Sequence, residues 1–254
     1  MTPSPPGGSG GPGGSAGHGG RLHALVRARL PAAARGLRLL RTLPLRWRGA
    51  EQVFTAIHRQ NAWQGEESAS GPGSSLAATA ALRQELPHLL RELGCATLLD
   101  APCGDFWWLK EMVLPVATYC GVDIVEEVVA ANQRCHGAPG RTFLRLDLRR
   151  DALPRTDLVL CRDCLVHFSF RDALATLANL RASGAAWLLT TTFPAHRSNR
   201  EAVTGEWRPL NLELAPFHLP PPRVLLNERC PEQGERYADK SLGLWRLRDL
   251  PAAL

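Results

Sequence analysis

The stretch CATLLDAPCGDFWWLKEMVLPVATYCGVD, residues 95–123, decides the fold. It holds two short apolar runs, CATLLDA (95–101) and ATYCGVD (117–123), which end at Asp100-Ala101 and at Asp123. Runs that are apolar at successive rather than alternate positions suit strands buried on both faces. Between them, FWWLKEMVL (106–114) reads as a helix. Strand, helix, strand is the unit of a parallel sheet, and ligands in such sheets sit beyond the carboxyl ends of the strands. The loop after the first strand contains Gly104, which lets a ligand approach the backbone closely. The helix that this loop opens would present its N-terminus to a carboxylate or phosphate.

The pattern continues on both sides. Downstream, VEEVVAANQRCH (125–136) reads as a helix, RTFLRLD (141–147) as a third strand and DLVLC (157–161) as a fourth. Ser169 and Asp172 form a capping-box-like start for the helix FRDALATLANLRA (170–182), and AAWLLTTTF (185–193) is a fifth strand. RVLLNERC (223–230) and LGLWRLRDL (242–250) read as two closing strands. Upstream, FTAIHRQNAW (54–63) makes a short helix. A Gly/Ser loop (65–75) leads into the helix LAATAALRQELPHLLRELG (76–94), with a kink expected at Pro87. The alternation predicts a doubly wound, Rossmann-like α/β fold in three layers, α/β/α.

Charge is unevenly placed. The chain carries +6 overall, but residues 1–50 hold eight Arg and no Lys, Asp or Glu. The remaining 204 residues hold 22 basic and 24 acidic side chains, so the basic character belongs to the N-terminal stretch and does not make the rest a nucleic-acid binder. Residues 1–20 contain nine Gly, four Pro and three Ser and cannot bury enough apolar surface to order themselves. The expected organisation is therefore a disordered Gly/Pro-rich and Arg-rich arm (1–50) followed by one domain (51–254). Seven Cys, an odd number, with no recognisable secretory signal, suit reduced thiols and a cytoplasmic location. The Arg-rich, acid-free arm offers organelle targeting as the alternative. No apolar run reaches 18 residues, which argues against a transmembrane helix.

Three strands end in acids: Asp100, Asp123 and Asp147. The loop at 101–106 lacks the G-x-G-x-x-G of a dinucleotide site, and Asp105 with the nearby Trp107 and Trp108 would obstruct a pyrophosphate. Asp123 can accept both hydroxyls of a ribose; Asp147 can face a planar amine or cap the LRRD turn. The fourth strand runs into Cys161-Arg162-Asp163-Cys164-Leu165-Val166-His167. His167 supplies a base near neutral pH, and Asp163, four residues earlier, can pair with it on a turn. A lone C-x-x-C at Cys161 and Cys164 is a weak zinc signal and reads as buried thiols, so no metal is expected.

LLDAPCGDF, YCGVDIV, LRLDL and DLVLCRDCLVHFS together resemble the motifs of the class I S-adenosylmethionine-dependent methyltransferases. LLDAPCGDF and LCRDCLVH further resemble bacterial-type members of unassigned substrate. In those an N-x-W…S-x-S-G-x-G-S segment recurs, matched by Asn61, Trp63, Ser68, Ser70, Gly71, Gly73 and Ser74. Phe106 stands where the family has the second glycine of its first motif. The resemblance implies a seven-stranded sheet closed by a reversed hairpin, with S-adenosylmethionine as cofactor. It also implies cofactor contacts from Asp100, Pro102, Cys103, Gly104, Asp105 and Phe106, from Asp123 and Ile124 at the ribose, and from Asp147 and Leu148 at the adenine. Arg162 would hold a carboxylate, and His167 with Asp163 would remove the acceptor's proton.

No N-P-P-[YF] follows the fourth strand, so the expected acceptor is a small molecule or sugar rather than DNA, with oxygen favoured over nitrogen. The Pro-rich stretch 204–222 is expected to overhang the pocket as a lid or to wrap the sheet passively. A non-catalytic protein of the same fold, binding an acidic partner through its arm, is the alternative. The oligomeric state is left open.

Overall fold

The computed structural model describes residue 45, residues 48–230 and residues 234–252. They belong to a compact unit spanning residues 44–254. Most of the expected arm lies outside the described residues.

Seven strands form one sheet: β1 (Thr97–Asp100), β2 (Thr118–Asp123), β3 (Arg141–Arg145), β4 (Leu158–Cys161), β5 (Trp187–Thr192), β6 (Val224–Asn227) and β7 (Ser241–Arg246). Their order is β3-β2-β1-β4-β5-β7-β6. The first five are parallel, while β7 runs antiparallel to both β5 and β6. This is the Rossmann-like sheet with a reversed hairpin. Among the described residues four α-helices accompany it: α1 (Ala50–Arg59), α2 (Ala80–Glu92), α3 (Glu126–His136) and α4 (Phe170–Ala182).

Period-two alternation divides the strand side chains between two cores. Leu99, Val159, Leu188 and Trp245 face one way and pack with Ala173, Leu177 and Leu180 of α4. Leu98, Leu158, Leu189 and Leu244 face the other way and pack with Leu82, Leu86 and Leu90 of α2 and with Val129 of α3. Helix α4 starts where its sequence says it should: the Ser169 side chain accepts a hydrogen bond from the Asp172 N–H at 3.1 Å. Helix α2 continues through Pro87.

The segment after β1 departs from the expected helix. Only a 3₁₀ turn forms there, Leu109–Glu111. Phe106 has a left-handed backbone (φ 57°), which an α-helix cannot contain, and Pro115 closes the segment. The loop at 101–106 therefore opens no α-helix. Order reverses between β1 and β4, which places a crevice at their carboxyl ends.

Candidate functional site

A cleft with about 1070 Å³ of empty space, its open mouth included, occupies that crevice. Asp100, Pro102, Cys103, Gly104 and Asp105 contribute from the loop after β1, and Asp123 and Ile124 from the end of β2. Asp147 and Leu148 contribute from beyond β3, and Arg162, Asp163 and His167 from beyond β4. The structure thus brings all the expected site residues to one cleft except Phe106.

Asp100 is buried, and its carboxylate accepts a 2.6 Å hydrogen bond from the Tyr119 hydroxyl. Burial pushes its pKa up to about 7 against the lowering effect of that bond. Asp123 accepts from the Val125 N–H at 2.9 Å and from the Gly104 N–H at 3.2 Å. These bonds fix its carboxylate against the cleft wall, while burial raises its pKa. Asn132 of α3 donates to the Gly104 carbonyl at 2.7 Å, so both ends of that glycine's backbone are held. Gly104 itself has φ 51°, and a Cβ there would strike the Ser70 hydroxyl.

Asp147 adopts the turn-capping role. One carboxylate oxygen accepts from the Arg149 backbone N–H at 3.1 Å and from Arg149 Nε at 2.8 Å. The other accepts from Arg149 Nη2 at 2.7 Å, with Arg150 Nε at 3.2 Å. Burial raises its pKa, and the Arg149 bonds outweigh that and hold it low. The carboxylate lines the cleft with its acceptor positions already filled, so an amine would meet the neighbouring apolar surface of Leu146 and Leu148.

Phe106 corrects the expectation of a cofactor contact. Its ring is buried in the core, 5.1 Å from Tyr119 and 5.3 Å from both Phe143 and His136, and its left-handed backbone turns it there. Asp105 borders the cleft, but its carboxylate holds the chain's own residues Ser68, Ala69 and Ser70. It accepts from the Ser68 hydroxyl at 2.8 Å, the Ala69 N–H at 2.9 Å and the Ser70 hydroxyl at 3.1 Å. The segment 61–75 is thereby latched to the loop after β1, and its Trp63, Ala69, Ser70 and Ser74 line the cleft. This segment forms the roof. The stretch 204–222 does not line this cleft: Leu210, Leu212, Phe217 and Leu219 wrap the α4 face of the sheet, buried in its core, while Trp207 near its start lines a cavity next to the cleft.

Beyond β4 a buried charge quartet forms. Arg162 bonds Glu228 through two nitrogens, at 3.2 and 2.7 Å, and donates to the Gly73 carbonyl of the roof at 2.8 Å. Lys240 reaches Asp163 at 2.7 Å and Glu228 at 3.3 Å, and Arg162 lies 3.3 Å from Asp163. Arg162 is therefore spent on structure rather than offered as a carboxylate clamp. Burial works against ionisation of Asp163, and Lys240 and then Arg162 overcome it, holding its pKa well below the usual range. Asp163 also has a left-handed backbone, φ 49°, and its N–H donates to Thr191 Oγ1 at 2.8 Å.

The expected pairing of Asp163 with His167 is corrected: the Asp163 carboxylate bonds Lys240 and reaches His167 through its charge alone. His167 sits against Trp63, ring centroids 4.7 Å apart. Its Nδ1 is buried without a hydrogen-bond partner, and burial lowers its pKa to about 4. The ring is neutral at pH 7.

Tyr119, Asn132, Glu228 and Lys240 escaped the sequence reading. Lys240 had one signal: it is one of only two lysines in an arginine-rich chain. Among the described residues no cluster of His, Cys, Asp and Glu could hold a metal ion, and no helix is long and apolar enough to cross a membrane.

No protein-family model matches the chain, and no curated protein matches it in sequence. Solved structures do match. Human N-acetylserotonin methyltransferase in complex with S-adenosylmethionine superposes with a TM-score of 0.57 at 18% identity, covering 89% of this chain and 68% of that one. The 1,6-didemethyltoxoflavin-N1-methyltransferase of Burkholderia thailandensis is 22% identical over 66% of this chain and 78% of its own, with a TM-score of 0.47. Magnesium protoporphyrin IX methyltransferase from Synechocystis PCC 6803 gives 0.37 at 21% identity over 46% of this chain, and the match spans 58% of that enzyme's length. The seven strands, their order and the reversed hairpin, with the human enzyme's superposition, give this chain the fold of the class I S-adenosylmethionine-dependent methyltransferases.

Proposed function

We propose that the protein is an S-adenosylmethionine-dependent methyltransferase acting on the oxygen of a small-molecule acceptor in the cytoplasm. The observation that carries this reading is the set of acids at the ends of β1, β2 and β3 around one cleft, at the switch point of the sheet. The donor set suits the cofactor. Asp100 fits an ammonium, Asp123 a ribose, and the apolar surfaces of Ile124, Leu146 and Leu148 an adenine. When bound, S-adenosylmethionine supplies a methyl group on a sulfonium, already electrophilic.

The chain's own residues then have three duties. The roof, latched by Asp105 and by Arg162, keeps water out and fixes the acceptor's approach. Asp163, held ionised, places negative charge where β4 ends. His167, neutral at pH 7 and lining the cleft, receives the acceptor's proton on its imidazole ring. The non-catalytic alternative drew on Phe106 standing where the family has a glycine, and that ring packs into the core, outside the cleft lining.

Calorimetry of the purified chain with S-adenosylmethionine and with S-adenosylhomocysteine tests the reading, followed by a mass-shift screen for methyl transfer to metabolite extracts. Saturable binding of both and a 14 Da product are expected, 14 Da being about the mass of CH₂; absence of binding removes the proposal. His167→Gln should slow transfer by about 10²–10⁴ while cofactor affinity stays at the wild-type value.

A further inference from the structure

A second cavity, with about 680 Å³ of empty space, adjoins the cleft. The two share Trp63, Ser70, Asp163 and His167, so they meet at the ring whose Nδ1 is buried without a partner. The far wall is aromatic. Phe193, Trp207 and Tyr237 pack edge to face on one another, with centroids 6.1, 4.9 and 5.9 Å apart for 193–207, 207–237 and 193–237.

The polar groups at the wall are not equivalent. Lys240 is bonded to Asp163 and Glu228, so neither member of the Lys240–Asp163 pair can turn to a ligand without breaking a buried ion pair. A sugar presents hydroxyls around its whole ring and would leave several of them facing Phe193, Trp207 and Tyr237 unpaired. A flat apolar ring fits against the cavity side of that aromatic wall, and one hydroxyl on it would meet the His167 ring at the boundary with the cleft.

We propose that this cavity is the acceptor site and that it takes a flat mono- or bicyclic aromatic hydroxyl compound, a phenol. Its ring lies against the wall of Phe193, Trp207 and Tyr237, and its hydroxyl donates to the neutral His167 ring. The assignment rests on the methyltransferase reading and narrows its acceptor. Acidity supports it. With a pKa of about 4, His167 is a weak base. It is better matched to a phenolic hydroxyl, about 10, than to an aliphatic one, near water's ~15.7.

The probe is 2-naphthol, titrated into the full chain with and without S-adenosylhomocysteine, beside 2-methoxynaphthalene and methyl glucoside. Saturable binding of 2-naphthol is expected, weaker by about three- to tenfold for the methoxy compound, which cannot donate a hydrogen bond. Trp207→Ala should weaken 2-naphthol by about tenfold or more and leave S-adenosylhomocysteine affinity unchanged. In the unmutated chain, nuclear Overhauser contacts from the probe should fall on the Phe193 and Tyr237 rings, which locates it even if Trp207→Ala fails to fold. Contacts elsewhere, tighter binding of methyl glucoside, or no 2-naphthol binding while S-adenosylhomocysteine binds would overturn this inference alone. Binding of 2-naphthol with no S-adenosylhomocysteine binding would overturn the acceptor role together with the reading beneath it.

Discussion

Asp100 and His167 face the same cleft with opposite responses to pH. The folded-state pKa of Asp100 is about 7, above its ordinary 3.8, so the folded chain keeps a proton that the unfolded chain releases. Its contribution to stability is complete below about pH 4 and is lost as pH rises through 7. His167 shifts down, from 6.5 to about 4, so its contribution is present above pH 6.5 and is lost as pH falls toward 4. Asp100→Asn should therefore be more stable than wild type at pH 8, by a few kcal/mol at most, with the difference gone below pH 4; urea titrations at both pH values check this. If Asp100 meets an ammonium in the cleft, cofactor binding near pH 6.5 releases its proton. Calorimetry in buffers of different ionisation heat should register that release, and Asp100→Asn should abolish it. Asp123→Ala should lose charge-assisted contacts of about 1.5–3 kcal/mol, read as a roughly ten- to hundredfold weaker cofactor. These acids were legible in the sequence because strand-end acids follow apolar runs. Arg149 and Arg150, two and three residues past Asp147, were legible too, but a sequence does not say whether a carboxylate turns to its neighbours or to a ligand.

Elements that declare themselves locally matched their sequences. Helix α4 begins at its Ser169 cap and fills residues 170–182, and each strand falls within its apolar run except β7, which starts one residue earlier, at Ser241. The segment 106–114 did not match, because its helix-like composition is overridden by the backbone of Phe106, which three aromatic neighbours fix. The roof was visible only as a motif. Its role depends on Asp105, which lies 35–37 residues away from Ser68, Ala69 and Ser70 and gives no sign of that partnership in sequence. Asp105→Ala should cost about 2 kcal/mol net and lower Tm by ~4–8 °C. Amide exchange should accelerate across residues 65–75 and leave the sheet protected. An unchanged exchange pattern would mean that the roof is held without the latch.

Across the whole molecule, the doubly wound class followed from the alternation of elements and the reversed hairpin from the family resemblance, whereas the quartet of Arg162, Asp163, Glu228 and Lys240 could not be read. Its members lie up to 78 positions apart, and ion pairing has no periodicity to betray it. Glu228→Ala leaves two buried cations facing the Asp163 carboxylate alone and should destabilise the fold by about 3–5 kcal/mol, measured as a lower urea midpoint at constant m-value. The same hairpin has a consequence for the order of synthesis. Strand β7 is translated after every other strand, yet it lies between β5 and β6. Until residues 241–246 have left the ribosome, β5 has an open edge and β6 has no strand to join. Nor can Lys240 reach the end of β4. A nascent chain halted near residue 235 should thus remain sensitive to protease and bound to chaperones, and acquire its cleft only when the last strand slots in.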